Sequence, residues 1–210
     1  MKIDGHPYRT IWLDDDGISI NVIDQTELPH RFVIRRLACL DDAVDAIAGM
    51  TVRGAPLIGA TAAYGLALAM AENPSDAHLE TAVARLAATR PTAVNLRWAL
   101  DRLSGGLRGT PAQARGALAY RLAADLCDED VRINEAIGLA GVDVIRTAWT
   151  RAGASRPIHI LTHCNAGWLA TVDWGTALAP IYKAHEEGVP VHVFVDETRP
   201  RNQGASLTAW

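Results

Sequence analysis

Apolar and polar residues alternate along the N-terminal part of the chain. Thr10-Ile11-Trp12-Leu13 runs into Asp14-Asp15-Asp16-Gly17, a turn by composition, and Ile18-Ser19-Ile20-Asn21-Val22-Ile23 resumes with a period of two. Leu28-Pro29-His30 turns the chain again before Arg31-Phe32-Val33-Ile34. Side chains that alternate between faces, with turns between the runs, predict a small antiparallel meander from Tyr8 to Leu37. From Cys39 the period lengthens to that of a helix. One helix is expected with Asp41 or Asp42 as cap and an end near Gly49, and another from Pro56 to about Met70. A third has Asp76 as cap and ends near Thr89. A fourth has Thr92 as cap, with Leu96, Leu100 and Leu103 on one face, and stops at Ser104-Gly105-Gly106. Thr110-Pro111 opens a long one, closed near Gly153, whose stripe is Leu118, Leu122, Leu126, Ile133, Ile137, Ile145 and Trp149.

After Arg156 the pattern changes once more. Ile158 to Thr162 and Val191 to Val195 are short apolar runs of the kind buried in parallel sheets. Between them, a helix capped by Asp173 and running through Ala184 to a stop at Gly188 completes a βαβ unit. Ala205 to Trp210 reads as the first turns of a further helix. The fold class is therefore α/β. An N-terminal domain of antiparallel β-meander plus helical bundle, 1–155, is followed by the start of a Rossmann-like parallel-sheet domain, 156–210.

Composition narrows the picture. The 210 residues are 49% hydrophobic and 21% charged, enough for an apolar core without disulfides or metal. A net charge of −4 gives no basic footprint for nucleic acid. Three widely spaced cysteines, Cys39, Cys127 and Cys164, do not read as a disulfide framework and fit a reducing, cytoplasmic compartment. The polar start Met1-Lys2-Ile3-Asp4-Gly5 lacks the apolar core of a signal peptide. The longest uncharged run, Gly54 to Ala71, is rich in Ala and Gly and includes Thr61 and Tyr64. A closely packed buried helix suits it better than a membrane span.

In open parallel sheets, ligands bind at the carboxyl ends of the strands. Here those ends empty into Thr162-His163-Cys164-Asn165-Ala166-Gly167 and into Asp196-Glu197-Thr198-Arg199-Pro200-Arg201-Asn202-Gln203-Gly204. Arginines also stand ahead of helix starts, in Val52-Arg53-Gly54-Ala55-Pro56, in Arg90-Pro91-Thr92 and in Arg199-Pro200-Arg201. A helix start offers unpaired N–H groups, and a guanidinium beside it adds a fork, so together they suit a phosphate. Pairing of each arginine with a surface carboxylate is the competing reading, and spacing alone does not separate the two. Cys164 follows a buried strand and precedes a turn of small residues, where a thiol acts as acid, base or nucleophile if its surroundings tune it. A structural thiol is the alternative. His159, His163 and Cys164 do not share one strand face, and no Cys-x-x-Cys or His-Glu-x-x-His accompanies them, so no metal site is expected. No Gly-x-Gly-x-x-Gly, Walker-type loop or Gly-x-Ser-x-Gly elbow supports a nucleotide site or a serine hydrolase.

Five segments together carry a resemblance. They are Val52 to Ala60, Arg90 to Leu96, Thr162 to Gly167, Asp173-Trp174-Gly175-Thr176, and Asp196 to Ala205. The chain resembles the S-methyl-5-thioribose-1-phosphate isomerases of methionine salvage. Through them it resembles a wider group that includes the regulatory subunits of translation initiation factor 2B and ribose-1,5-bisphosphate isomerase. The resemblance implies an aldose–ketose isomerase acting on a phosphorylated sugar, without cofactor or metal, as a homodimer that binds neither nucleic acid nor membrane. It implies Cys164 as a catalytic group and Arg53, Gly54, Ala55, Arg90 and Gln203 as substrate-binding residues. It also places a catalytic aspartate and an Asn-Lys pair on a later segment, beyond Trp210. A regulatory subunit without catalysis and a related ribose-phosphate isomerase are the other roles the group contains.

Overall fold

The meander and the parallel pair form in separate parts of a computed structural model that describes residues 1–197 and 199–210. Thr198, within the loop that follows the second parallel strand, lies outside the described residues. A hairpin precedes the meander: β1 (Lys2–Ile3) pairs antiparallel with β2 (His6–Pro7). Asp4 and Gly5 turn it with φ of 49° and 82°, the pair of left-handed values that a two-residue hairpin turn needs. The Asp-Gly dipeptide is the signal for this hairpin, which the expected meander, starting at Tyr8, omits. β3 (Ile11–Leu13), β4 (Ile20–Ile23) and β5 (Ile34–Leu37) then form a three-stranded antiparallel sheet in chain order. Ile11, Ile20, Val22, Ile23 and Leu37 are its buried apolar residues. Asp16 ties the β3–β4 turn: it accepts the Ser19 hydroxyl and the N–H groups of Ile18 and Ser19, and these bonds hold its carboxyl far below the usual range.

The helices follow as α1 (Leu40–Ala48), α2 (Ala55–Glu72), α3 (Asp76–Thr89), α4 (Val94–Arg108) and α5 (Ala112–Arg151). Their expected caps are corrected in detail. Asp42 caps α1 from inside its first turn, accepting N–H from Ala38 and Cys39 at 2.7 and 3.2 Å. Ser75, not Asp76, caps α3, through the N–H of His78 at 3.3 Å. Ala93, not Thr92, stands at the start of α4. Gly105-Gly106 does not stop α4 either. It lies inside the helix, and a Cβ on Gly106 would sit 3.2 Å from Leu122, so the missing side chain serves packing. α2 is long and apolar enough by length and composition to cross a membrane, and 78% of it is buried within the chain.

The chain divides into two compact units, Arg9–Glu129 and Met1–Tyr8 with Asp130–Trp210. The division falls inside α5, whereas the change of periodicity lies near 155. Ala119, Ala123, Leu126 and Cys127 are the buried apolar positions of its first half. In the second half Val142 clusters with Ala184 and Val189, with Ile145 and Trp149 packed alongside. Ile133 and Ile137, expected on the buried stripe, are instead exposed, and Asn134 takes the inward position between them.

β6 (Ile158–His163) and β7 (Val191–Asp196) pair in parallel, Ile158 opposite Val191 through His163 opposite Asp196. The helix between them, α6 (Ala179–Glu186), starts later than expected. Asp173 is no cap: it takes the Met1 ammonium at 2.7 Å and the Trp174 N–H at 2.8 Å. The residues ahead of α6 form a tight bend, closed where Gly167 bridges Gly175. The strands are also less buried than an apolar run predicts. One face of the pair is open, with Leu161 72% and Phe194 50% exposed and the rings of His192 and Phe194 4.7 Å apart.

Candidate functional site

Parallel register delivers two loops side by side. β6 ends in His163 and Cys164, β7 in Asp196 and Glu197, and the Cys164 N–H donates to the Asp196 carbonyl at 2.9 Å. Cys164 has φ of 56°, in the left-handed region. For a residue with a Cβ this costs about 1–3 kcal/mol and persists where the surroundings enforce it. They do so here. The Thr208 hydroxyl donates to the Cys164 carbonyl at 2.6 Å and accepts from the Asn165 amide at 3.0 Å. The Cys164 thiol faces the Gln203 side-chain oxygen at 3.7 Å. Gln203 is held in turn, because Glu197 accepts the N–H groups of Gly204 and Ala205 at 3.0 and 2.8 Å. The expected residues Cys164 and Gln203 are thus brought together. Thr208, Glu197 and Asn165, which no expected role covers, turn out to be their supports. All lie in or beside the quoted segments, but nothing in the spacing says which of them hydrogen-bonds.

Cys164 is half-buried, whereas His163, the last residue of β6, is exposed. Its Nδ1 lies 3.1 Å from the Asp196 carboxylate, and that hydrogen bond is the largest influence holding the Asp196 carboxyl below its ordinary range. In the same unit, Asn165, Trp168, Leu169, Tyr182 and Thr208 line a cavity of about 430 Å³. Burial pushes the Tyr182 phenol up to about 12.

Asp130 on α5 accepts the Val172 N–H at 2.7 Å and the Asn134 amide at 3.0 Å, yet burial raises its carboxyl above the usual value. A raised carboxyl means that the folded state disfavours the charge. The penalty is absent below the ordinary pKa of about 3.9 and complete once the pH has risen through the folded-state value. Asp130→Asn is therefore expected to remove a loss of stability that the parent shows on going up from pH 4. Thermal melting of both proteins across that range checks it, and parallel curves would refute it.

The other expected residues belong to the unit Arg9–Glu129. Arg53 precedes α2 by two residues, and Gly54, at φ 91°, is the residue from which the helix starts. Neither α2 nor α4 has a side-chain cap hydrogen bond, so their first-turn N–H groups keep the capacity to meet an anion. A Cβ on Gly59 would come within 3.1 Å of the Asn95 carbonyl, which puts the opening turns of α2 and α4 against each other. Arg90 ends α3 and its carbonyl accepts the Ala93 N–H at 2.9 Å, in the turn that leads to α4. Among the described residues Arg90 makes no ion pair. Among the described residues no group of three or more His, Cys, Asp or Glu is placed to hold a metal ion.

Comparison with known proteins places the chain in a family. The model of the initiation factor 2 subunit family matches residues 51–210. A methylthioribose-1-phosphate isomerase of Methylorubrum populi is 63% identical over 210 residues, which are 100% of this chain and 57% of that protein. The protein of that name from Brucella anthropi is 59% identical over 100% of this chain and 58% of its own length. Among solved structures, 5-methylthioribose 1-phosphate isomerase from Pyrococcus horikoshii has a TM-score of 0.83 at 37% identity, covering 97% of this chain and 56% of that one. Translation initiation factor eIF-2B subunit delta from A. fulgidus has a TM-score of 0.82 at 39% identity, covering 97% and 58%. The chain thus spans somewhat over half the length of the proteins it matches.

Proposed function

We propose that this chain, which belongs to the initiation factor 2 subunit family, is the part of an aldose–ketose isomerase that carries Cys164 and a set of phosphate-binding groups. The substrate of this reading is 5-methylthioribose 1-phosphate and the product 5-methylthioribulose 1-phosphate. The phosphate sits on the anomeric oxygen, so the ring cannot open as a free hemiacetal does. The ring C–O bond breaks as an acid delivers a proton to the ring oxygen, and a hydrogen moves from C2 to C1. C2 becomes a ketone as its hydroxyl releases a proton, which balances the one delivered to the ring oxygen, and C1 becomes a CH2 bearing the phosphate. Oxidation and reduction balance within the substrate, so the reaction calls for no cofactor.

The observation that carries the reading is Cys164: a thiol at the end of a parallel strand, in a strained conformation, 3.7 Å from Gln203. In its roles, the thiol holds or moves the proton at the ring oxygen, and Gln203 orients a sugar hydroxyl. Arg53, with Gly54 and Ala55 at the start of α2, and Arg90 ahead of α4 hold the phosphate. The protein works as a cytoplasmic homodimer on a soluble sugar phosphate.

Carbon NMR of substrate labelled at C2, with the protein at the full length of its relatives, tests this directly, with growth of a ketone signal expected and its absence overturning the reading. A non-catalytic regulatory subunit is favoured by one finding, the likeness to the delta-subunit structure. It predicts no ketone and co-purification with other subunits of the translation factor. Arg90→Ala is expected to raise KM about 10–100-fold with kcat within about threefold, the weight of charge-assisted bonds made alike in ground and transition states. Steady-state kinetics on the sugar phosphate reads this, and an unchanged KM removes Arg90 from the site.

A further inference from the structure

We propose that Thr208 is a positioning residue for Cys164, fixing the left-handed backbone that points the thiol at Gln203. Two hydrogen bonds hold the Cys164 peptide groups. One is the main-chain bond from its N–H to the Asp196 carbonyl at 2.9 Å, a continuation of the sheet ladder that any sequence would supply. The other comes from a side chain, the 2.6 Å bond from the Thr208 hydroxyl to the Cys164 carbonyl. A hydroxyl has one proton. Since the Asn165 amide donates to the same oxygen at 3.0 Å, that proton is directed at Cys164. Thr208 thus has no donor left for substrate, and its effect reaches the chemistry through Cys164. The arrangement is double-sided. The turn that carries Thr208, Gly204–Thr208, is anchored at its other end by Glu197 on the N–H groups of Gly204 and Ala205. The same short segment therefore sets both the thiol and the amide that faces it. A left-handed φ of 56° without glycine is held only while such partners are in place.

The kinetic consequence rests on the reading of Cys164 as the group that acts on substrate, while the geometry does not. The experiment separates the two. Thr208→Val removes the hydroxyl at nearly constant shape, and Thr208→Ser keeps it. Iodoacetamide alkylation is mapped by peptide mass, with Cys39, which is exposed, as internal reference in the same molecules. Loss of one hydrogen bond is expected to raise the Cys164-to-Cys39 alkylation ratio about fivefold in Thr208→Val and to leave it within about 1.5-fold in Thr208→Ser. In the isomerase assay Thr208→Val is expected to lower kcat about tenfold with KM within about twofold, and Thr208→Ser to restore kcat. Equal ratios for Val and parent, or a Ser variant that moves as far as Val, overturn the proposal. If the parent makes no ketone, the functional reading fails, and the alkylation ratios alone decide on Thr208. If Thr208→Val loses its cooperative melt, Thr208→Ala, which removes the hydroxyl without adding a methyl, takes its place in the same comparison.

Discussion

Replacing Cys164 by alanine is expected to lower kcat about a thousandfold while KM stays within about threefold, the signature of a proton-handling group that contributes in the transition state. The reason lies in what the fold does for this one thiol. A strand end, a left-handed backbone and two hydrogen bonds to its peptide groups fix its position before substrate arrives. A pre-placed group spares the reaction the reorganisation that a mobile one requires. Cys164→Ser keeps a polar group of similar size but with a far higher pKa, so it is expected to recover little of the loss. The other two thiols provide the control. Cys39 is exposed and Cys127 buried, both in the other unit, and Cys39→Ala should leave kcat unchanged. Ketone formation followed by carbon NMR measures all three, and a Cys164→Ala protein that turns over like the parent would remove the thiol from the mechanism.

The second large effect concerns stability. Gly175→Ala is expected to cost at least about 3 kcal/mol, enough to unfold much of a marginally stable chain. Two penalties coincide at this residue. Its φ is 85°, which a residue with a Cβ adopts at roughly 1–2 kcal/mol. The added Cβ would also lie 2.1 Å from the Gly167 carbonyl carbon and 2.5 Å from the Trp168 nitrogen, both main-chain atoms that cannot rotate away. Gly153 isolates the first penalty, since it has φ of 87° and nothing within 4 Å. Gly153→Ala should therefore cost only about 1 kcal/mol, the conformational part alone. Urea unfolding followed by tryptophan fluorescence compares the two, and equal midpoints would refute the clash. Because Gly167 and Gly175 close the bend that starts three residues after Cys164, the damaged variant should lose activity along with stability.

The order of elements was legible because periodicity reports burial, and burial is what a strand or a helix face obeys. The ends were less legible. Asp76 and Thr92 look like caps, yet Ser75 takes the first position through its bond from the His78 N–H, and Ala93 stands at the second with no side-chain cap bond. The Gly105-Gly106 pair reads as a stop, but α4 runs through it, with Gly106 close to Leu122, a tertiary fact with no local signal. Ile133 and Ile137 were misplaced for the same reason: the inward position of α5 belongs to Asn134, whose amide donates to Asp130. At the site, Cys164 and Gln203 were legible as residues at strand ends, and the structure joins them. Thr208 and Glu197 were not, since their work is a hydrogen bond across more than six residues of chain, which no spacing rule encodes.

The two-stranded parallel sheet has a consequence for the chain in concentrated solution. Ile158 and Cys164 turn their N–H groups inward to β7, so the ladder leaves those of His159 and Leu161 on the outer edge. That edge runs beside an open face carrying Leu161 and Phe194. Donors that face away from β7 next to apolar side chains form a template on which another extended segment can pair strand by strand. The net charge of −4 supplies only a weak, salt-screened repulsion against it.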